Sequence, residues 1–178
     1  MKDETVKYLQ RAIEVYDDGD IGPITRKALF NKLLKIAKNE LGVSEIGHTN
    51  SGKRVEEYQA STSYDNTNWP WCAAFICFIF KEAKIFTEDD RPKTPAAYGF
   101  EGWADSLGIR VIRNPDTIRK GDIVIYSFSH IGIASSKSRS NNAFKAIEGN
   151  TNRSGSREGG SVLEKTRRES VVRSVVRF

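Results

Sequence analysis

At 178 residues and 20.0 kDa the chain is long enough for one domain with a real hydrophobic core, and too short for two independent ones. Hydrophobic residues at 38% and charged residues at 29% describe an ordinary globular composition, and no apolar stretch approaches the roughly 18–20 residues of a membrane span, which excludes membrane insertion by a helix. A formal charge of +5 favours an anionic partner, but the basic residues are scattered through "TRK", "KTRRES" and "VVRSVVRF" with no aromatic-basic signature, which argues against nucleic acid.

The first residues, "MKDETVKYLQRAIEVYDDGD", mix charges of both signs and contain no apolar h-region. They do not read as a signal peptide, so synthesis in the cytoplasm without a leader is expected. Val6, Leu9, Ile13 and Tyr16 recur at helical spacing, "DDGDIGP" breaks the pattern, and "ITRKALFNKLLKIAKNEL" resumes it up to a stopping Gly42. A short helix is expected over "KRVEEYQA". "PWCAAFICFIFKEA" is apolar nearly all the way round and so predicts a central, buried helix, and "AAYGFEGWADSL" predicts another. From there the period changes to two: "GDIVIYSF", "HIGIASS", "AFKAIEGN", "SVLEKTR" and "SVVRSVVRF" read as strands separated by polar or glycine-rich loops. Helices first and strands afterwards predict an α+β fold, with N-terminal helices packed on an antiparallel sheet of about five strands.

Two cysteines, Cys72 and Cys77, are too few for a disulfide framework. Five positions apart in one helix, they would lie about 140° apart around the axis and roughly 7.5 Å apart along it, which forbids a bridge between them. No C-x-x-C or H-x-x-x-H accompanies the two histidines, His48 and His130, so no metal site is expected. "DDGD" lacks the later ligand positions of a calcium loop.

Pro70 suits the first turn of a helix, because its missing N–H would have no intrahelical partner there. That places Cys72 in the same turn, where unpaired backbone N–H groups and the positive end of the helix dipole favour a thiolate. Cys77, deeper in the helix, reads as a small buried hydrophobe. A thiolate nucleophile needs a base, and the base an orienting partner. His130 opens the strand "HIGIASS" just after "GDIVIYSFS", so a hairpin is expected with the histidine near its turn. Gly132 and Ala134 share its face, and these small residues leave room for a helix end to approach. Glu148 and Asn150 in "AIEGNTN" are two apart, on one face of a strand with Ala146. Together these residues describe a Cys-His-acid hydrolase on a papain-like plan.

"WPWCAAFICFIFKEA", "RKGDIVIYSFSHIGIASS" and "AIEGNTN" followed by a glycine-rich stretch and "SVLEKTRR" resemble the CHAP family of peptidoglycan amidases and endopeptidases, cousins of the NlpC-type cell-wall hydrolases. The resemblance covers residues 33–178, including the lead-in "ELGVSEIGHTNSGKRVEEY". It implies Cys72 as the nucleophile, His130 as the base, and Glu148 and Asn150 as the orienting pair, with either able to bond the imidazole. A second resemblance, of "DDGDIGPITRKAL" to part of a small three-helix peptidoglycan-binding module, would make residues 1–32 a helical N-terminal segment ahead of the catalytic domain.

These resemblances imply cleavage of an amide bond in the peptide stem or cross-bridge, or of the muramoyl–peptide link, by a thiol mechanism. The Cys72 backbone N–H and a side-chain donor, Asn66 or Asn68, would meet the oxyanion. Trp69, Trp71 and Tyr64, with Asn68, are candidates to line the substrate groove. Bacterial peptidoglycan is the expected partner and a monomer the expected state. No cofactor is expected; some CHAP domains bind calcium, but no motif here specifies it. Without a leader, an endolysin released through a phage holin fits better than a secreted autolysin. The alternatives are an amidase toxin delivered by an injection machine and a non-catalytic wall-binding module.

Overall fold

Through the first third of the chain apolar residues recur at helical spacing. There the computed structural model, which describes residues 1–178, forms α1 over Asp3–Ala12, α2 over Pro23–Asn39 and α3 over Lys53–Gln59. The apolar run becomes α4, Cys72–Ala83, and α5 covers Gly99–Ser106. Six strands follow: β1 Arg110–Arg113, β2 Ile123–Tyr126, β3 His130–Ala134, β4 Ala143–Thr151, β5 Ser161–Arg168 and β6 Val172–Arg177. They form one antiparallel sheet in the spatial order β1-β6-β2-β3-β4-β5, and the architecture is α+β. No helix is long and apolar enough to cross a membrane.

The sheet carries one strand more than the sequence pattern suggests. "RVIR" is only four residues long with a charge at each end, and it becomes β1 because β6 offers a free edge, pairing Val111 with Val176 and Ile112 with Val175. At the other end of the chain the helical pattern outruns the helix. α1 stops at Ala12, Ile13 caps it, and Tyr16 is left 84% exposed. The buried Gln10 side chain organises the turn that follows: its Nε2 donates to Asp18 Oδ1 (2.7 Å) and to the Asp20 carbonyl (2.9 Å), and its Oε1 accepts the Gly19 N–H (2.9 Å).

Apolar burial is the main favourable term in folding, and here it is centred on α4, whose residues from Cys72 to Phe80 are all buried. Leu29 and Leu33 of α2, Val55 and Tyr58 of α3, and Ile131, Ile133 and Ile147 of the sheet join them in one core. Leu9 of α1 belongs to that same core. The division expected at residue 32 falls inside α2, so residues 1–32 share their packing with the rest of the chain. The opposite face of the sheet buries a smaller cluster that includes Val124, Tyr126, Ala134, Phe144 and Ala146.

One glycine ties the helices to the start of the sheet. Gly121 has φ +90°, in the left-handed region, and a Cβ there would lie 2.2 Å from the Phe30 ring of α2. Only glycine satisfies both demands. The next residue, Asp122, is fully buried and takes Nε and Nη2 of Arg177 at 2.8 and 2.6 Å, so the entry to β2 is locked to the end of β6.

Candidate active site

Cys72 is the first residue of α4, with Trp71 as its N-cap. Pro70, expected inside the first turn, stands just before that cap, where its fixed φ directs the chain into the helix without occupying it. The Cys72 backbone N–H therefore belongs to the set that has no intrahelical acceptor. Cys77 is fully buried with its thiol directed at the Thr94 carbonyl (3.4 Å), and burial pushes its pKa well up.

His130 is the first residue of β3 and pairs with Tyr126 across the expected hairpin. The turn between them is pinned from outside the sheet. The Tyr98 hydroxyl donates to the Ser127 carbonyl (2.7 Å) and accepts the N–H of Ser129 (3.1 Å), whose φ of 58° turns the chain back into β3. The Tyr126, Phe128 and His130 rings lie nearly parallel, with interplanar angles of 9–20°.

Glu148 on β4 faces His130, and its Oε2 lies 3.1 Å from Nε2. With Nε2 committed to Glu148, Nδ1 has no hydrogen-bond partner, and Cys72 adjoins the same imidazole. His130 and Glu148 are fully buried, while Cys72 keeps 7% exposure and is the member of the group that reaches the surface. Burial pulls the imidazole pKa down, but Cys72 and Glu148 outweigh it and raise the value from 6.5 to about 9. Burial likewise works against ionised Glu148, yet Arg167 and His130 hold its carboxyl below the usual carboxylate range.

Two glycines shape this site, and the room for the helix end is not where Gly132 and Ala134 were expected to leave it. Gly132 shares the His130 face, but the helix does not fill the space beside it: a Cβ at Gly132 would lie 2.7 Å from Glu148 Cγ, so its bareness makes room for the carboxylate. Ala134 on the same face belongs to the cluster on the far side of the sheet. The space for α4 is provided by Gly149, where a Cβ would meet Phe75 Cβ at 2.7 Å and the Trp71 ring at 2.9 Å.

Asn150 departs from the expected pairing. A bulge interrupts the β4–β5 register between Glu148 and Thr151, and Asn150 has φ 54°, so the two-residue alternation no longer carries its side chain beside Glu148. Its Oδ1 accepts the Gly160 N–H (3.1 Å), and its Nδ2 is buried without a partner. Of the two orienting candidates, only Glu148 contacts His130.

Among the groove candidates, Trp71 is fully buried, with its ring against Tyr58 and its indole N–H donating to Glu45 (3.2 Å), so it offers no surface to a ligand. Trp69 is half-buried, packs edge-on against Tyr64 at 5.6 Å and donates to the Asn66 carbonyl (2.7 Å). Asn66 and Asn68 are exposed, Asn68 with φ 64°. A cleft of about 220 Å³ lies between the end of α3 and this loop, lined by Glu56, Gln59, Tyr64, Asp65, Asn66 and Thr67. No group of three or more His, Cys, Asp or Glu side chains is placed to hold a metal.

Sequence pattern alone did not single out Arg167 or Tyr126. Arg167 Nε and Nη2 reach both Glu148 oxygens at 2.8 and 2.6 Å, and the Tyr126 hydroxyl donates to Oε1 at 2.8 Å. The signal for them was indirect: a buried glutamate needs a cation, and the basic strand "SVLEKTRR" is the next one along the chain.

No protein-family model matches the sequence, and no curated protein matches it at a significant level. The fold is nevertheless similar to a solved one, the crystal structure of wild-type endolysin LysIME-EF1, with a TM-score of 0.55 and 19% sequence identity over 83% of this chain. The chain spans 63% of that endolysin's length. At this identity the likeness defines an α+β fold shared with an endolysin.

Proposed function

We propose that the protein is a peptidoglycan hydrolase of the endolysin kind, a cysteine amidase or endopeptidase on the CHAP plan. The observation that carries this reading is the array at the head of α4: a surface-reaching Cys72 beside an imidazole whose other nitrogen is held by a buried carboxylate. Likeness of fold to an endolysin and a formal charge of +5, suited to an anionic wall, support it.

In this mechanism His130, protonated beside Cys72, stabilises the thiolate. The thiolate attacks an amide carbonyl of the peptide stem, the cross-bridge or the muramoyl–peptide link. The resulting oxyanion is met by the Cys72 N–H, preorganised at the helix start, and by a side-chain donor from the Asn66–Asn68 loop. Collapse gives a thioester and an amine that takes its proton from His130. Water, deprotonated by the now neutral His130, then hydrolyses the thioester and restores the thiol site. Glu148 holds the imidazole in the tautomer that keeps Nδ1 for the sulfur. Access to the wall from the cytoplasm would require a separate pore, such as a phage holin.

The test is digestion of purified cell walls followed by turbidity and mass analysis of the released fragments. Wild-type protein should lower turbidity and yield fragments that identify the bond cut, and Cys72→Ala should do neither while folding normally. Full lysis by Cys72→Ala would overturn the thiol mechanism, and a folded wild-type protein that binds walls without cutting them would point to the idle wall-binding module.

A further inference from the structure

Glu148 is fully buried, and its two oxygens are saturated. Oε1 accepts the Tyr126 hydroxyl and Arg167 Nε, each at 2.8 Å; Oε2 accepts Arg167 Nη2 at 2.6 Å and faces His130 Nε2 at 3.1 Å. The titratable and charged groups around it are Tyr126 from β2, His130 from β3 and Arg167 from β5, with Cys72 of α4 beyond the imidazole. Arg167 is the only permanent cation among them. Its guanidinium is itself fixed, lying 5.3 Å from the Tyr126 ring centre and 5.4 Å from that of Phe128, while both Nη atoms donate to the Gly155 carbonyl at 3.1 Å. The aromatic stack that holds the imidazole therefore also holds the arginine.

We infer that Arg167 is a positioning residue of the thiol site, gripping both oxygens of Glu148 so that the carboxylate stays ionised and aimed at His130. This rests on the thiol chemistry proposed above. A carboxylate taken out of water without a cation takes up a proton. Neutral Glu148 would no longer stabilise imidazolium, and the thiolate beside it would form only at higher pH. The planar fork of arginine matches both carboxylate oxygens at once, which a lysine cannot do. Arg167 also ties down the Gly155 loop, and that structural duty alone would change the melting temperature without moving the pH at which the thiolate forms.

The distinguishing measurement is the rate of Cys72 alkylation by iodoacetamide against pH, with the labelled residue identified by peptide mass. It should be made on the wild type, Arg167→Met, Arg167→Lys, Glu148→Gln and the Glu148→Gln/Arg167→Met double variant. In Arg167→Met the acid limb should move up by about one pH unit or more, which is about a tenfold slower reaction on that limb. Arg167→Lys should recover part of the shift, and Arg167→Met should raise the limb no further in the Glu148→Gln background, where the cation has lost its carboxylate. An unmoved limb in Arg167→Met, or a further upward shift in the double variant, would overturn the assignment. Should Arg167→Met not fold, Arg167→Lys against the wild type decides: a limb moved part of the way up supports the assignment, and a wild-type limb overturns it. Alkylation requires no wall substrate, so a shifted limb in a protein that fails to cut walls would refute the hydrolase reading and leave Arg167 in its role.

Discussion

Gly149 and Phe75 touch backbone to side chain: a Cβ at position 149 would lie 2.7 Å from Phe75 Cβ, closer than carbon atoms pack. The first turn of α4, which begins at Cys72, can lie this close to β4 only because that residue is bare.

Gly149→Ala should therefore push α4 off the sheet. Overpacking of this kind costs about 1–3 kcal/mol, and a shift of about 1 Å at a catalytic pair lowers the rate by as much as ~10²-fold. Thermal melts should show a modest loss while wall lysis falls far more. A variant with wild-type lysis would show that the helix and strand do not set the geometry of the site.

Cys77→Ser should behave in the opposite way to Cys72→Ala. The Cys77 thiol is buried, points at a backbone carbonyl and has its pKa pushed well up by burial, so it is a poor nucleophile. A serine there keeps a donor for the Thr94 carbonyl. Lysis should persist, and iodoacetamide should label Cys72 first in the wild type. Faster labelling of Cys77 would place the reactive thiol in the middle of the helix and not at its head.

The pH dependence follows from His130, whose value is raised from 6.5 to about 9 in the folded protein. Because the folded value lies above the unfolded one, protonated imidazole stabilises the fold. That contribution is complete below pH about 6.5 and disappears as pH rises through about 9. Glu148 acts in the other direction: its folded value is lowered, so its contribution is present above the unfolded value of about 4.3 and fades as the solution is acidified below it. Lysis should fall along an alkaline limb near pH 9 as imidazolium is lost, and melting temperatures should decline over the same range. An alkaline limb near 6.5 in a pH–rate profile would show that Cys72 and Glu148 do not hold the proton on His130.

Local chemistry made most of the candidate site legible. A cysteine at the head of a largely apolar helix, a histidine opening a strand after a tight turn, and a glutamate on the next strand each announce themselves within a few residues of sequence. What stayed hidden depends on partners distant in the chain. β1 is a strand because β6 lies beside it, and Arg167 is bound to the site because Glu148 is buried 19 residues earlier. Asn150 misled because alternation on a strand assumes regular pairing, and a bulge with a left-handed residue breaks it. Trp71 misled for a different reason: an aromatic next to a candidate nucleophile reads equally well as groove or as core, and here Tyr58 and Glu45 claim it for the core.

Residues 1–22 give the remaining prediction, because wall binding and core packing make opposite demands on them. A separate binding segment would detach cleanly. In the structure Val6 is 5% exposed and Leu9 is fully buried in the core that also holds Leu29, Leu33 and α4, and Lys32 Nζ donates back to the Ala12 carbonyl at 2.6 Å. Deleting residues 1–22 would remove two buried apolar side chains, at about 1.5–3 kcal/mol each, and would bare the surface of α2 that they cover. Against a typical net stability of about 5–15 kcal/mol, that is a large fraction, so the truncated protein should melt well below the full chain or fail to fold, and lysis should be lost with the fold. Melting curves and co-sedimentation with purified walls check this together. An unchanged melting temperature with weakened wall binding would show that α1 serves the wall and not the core.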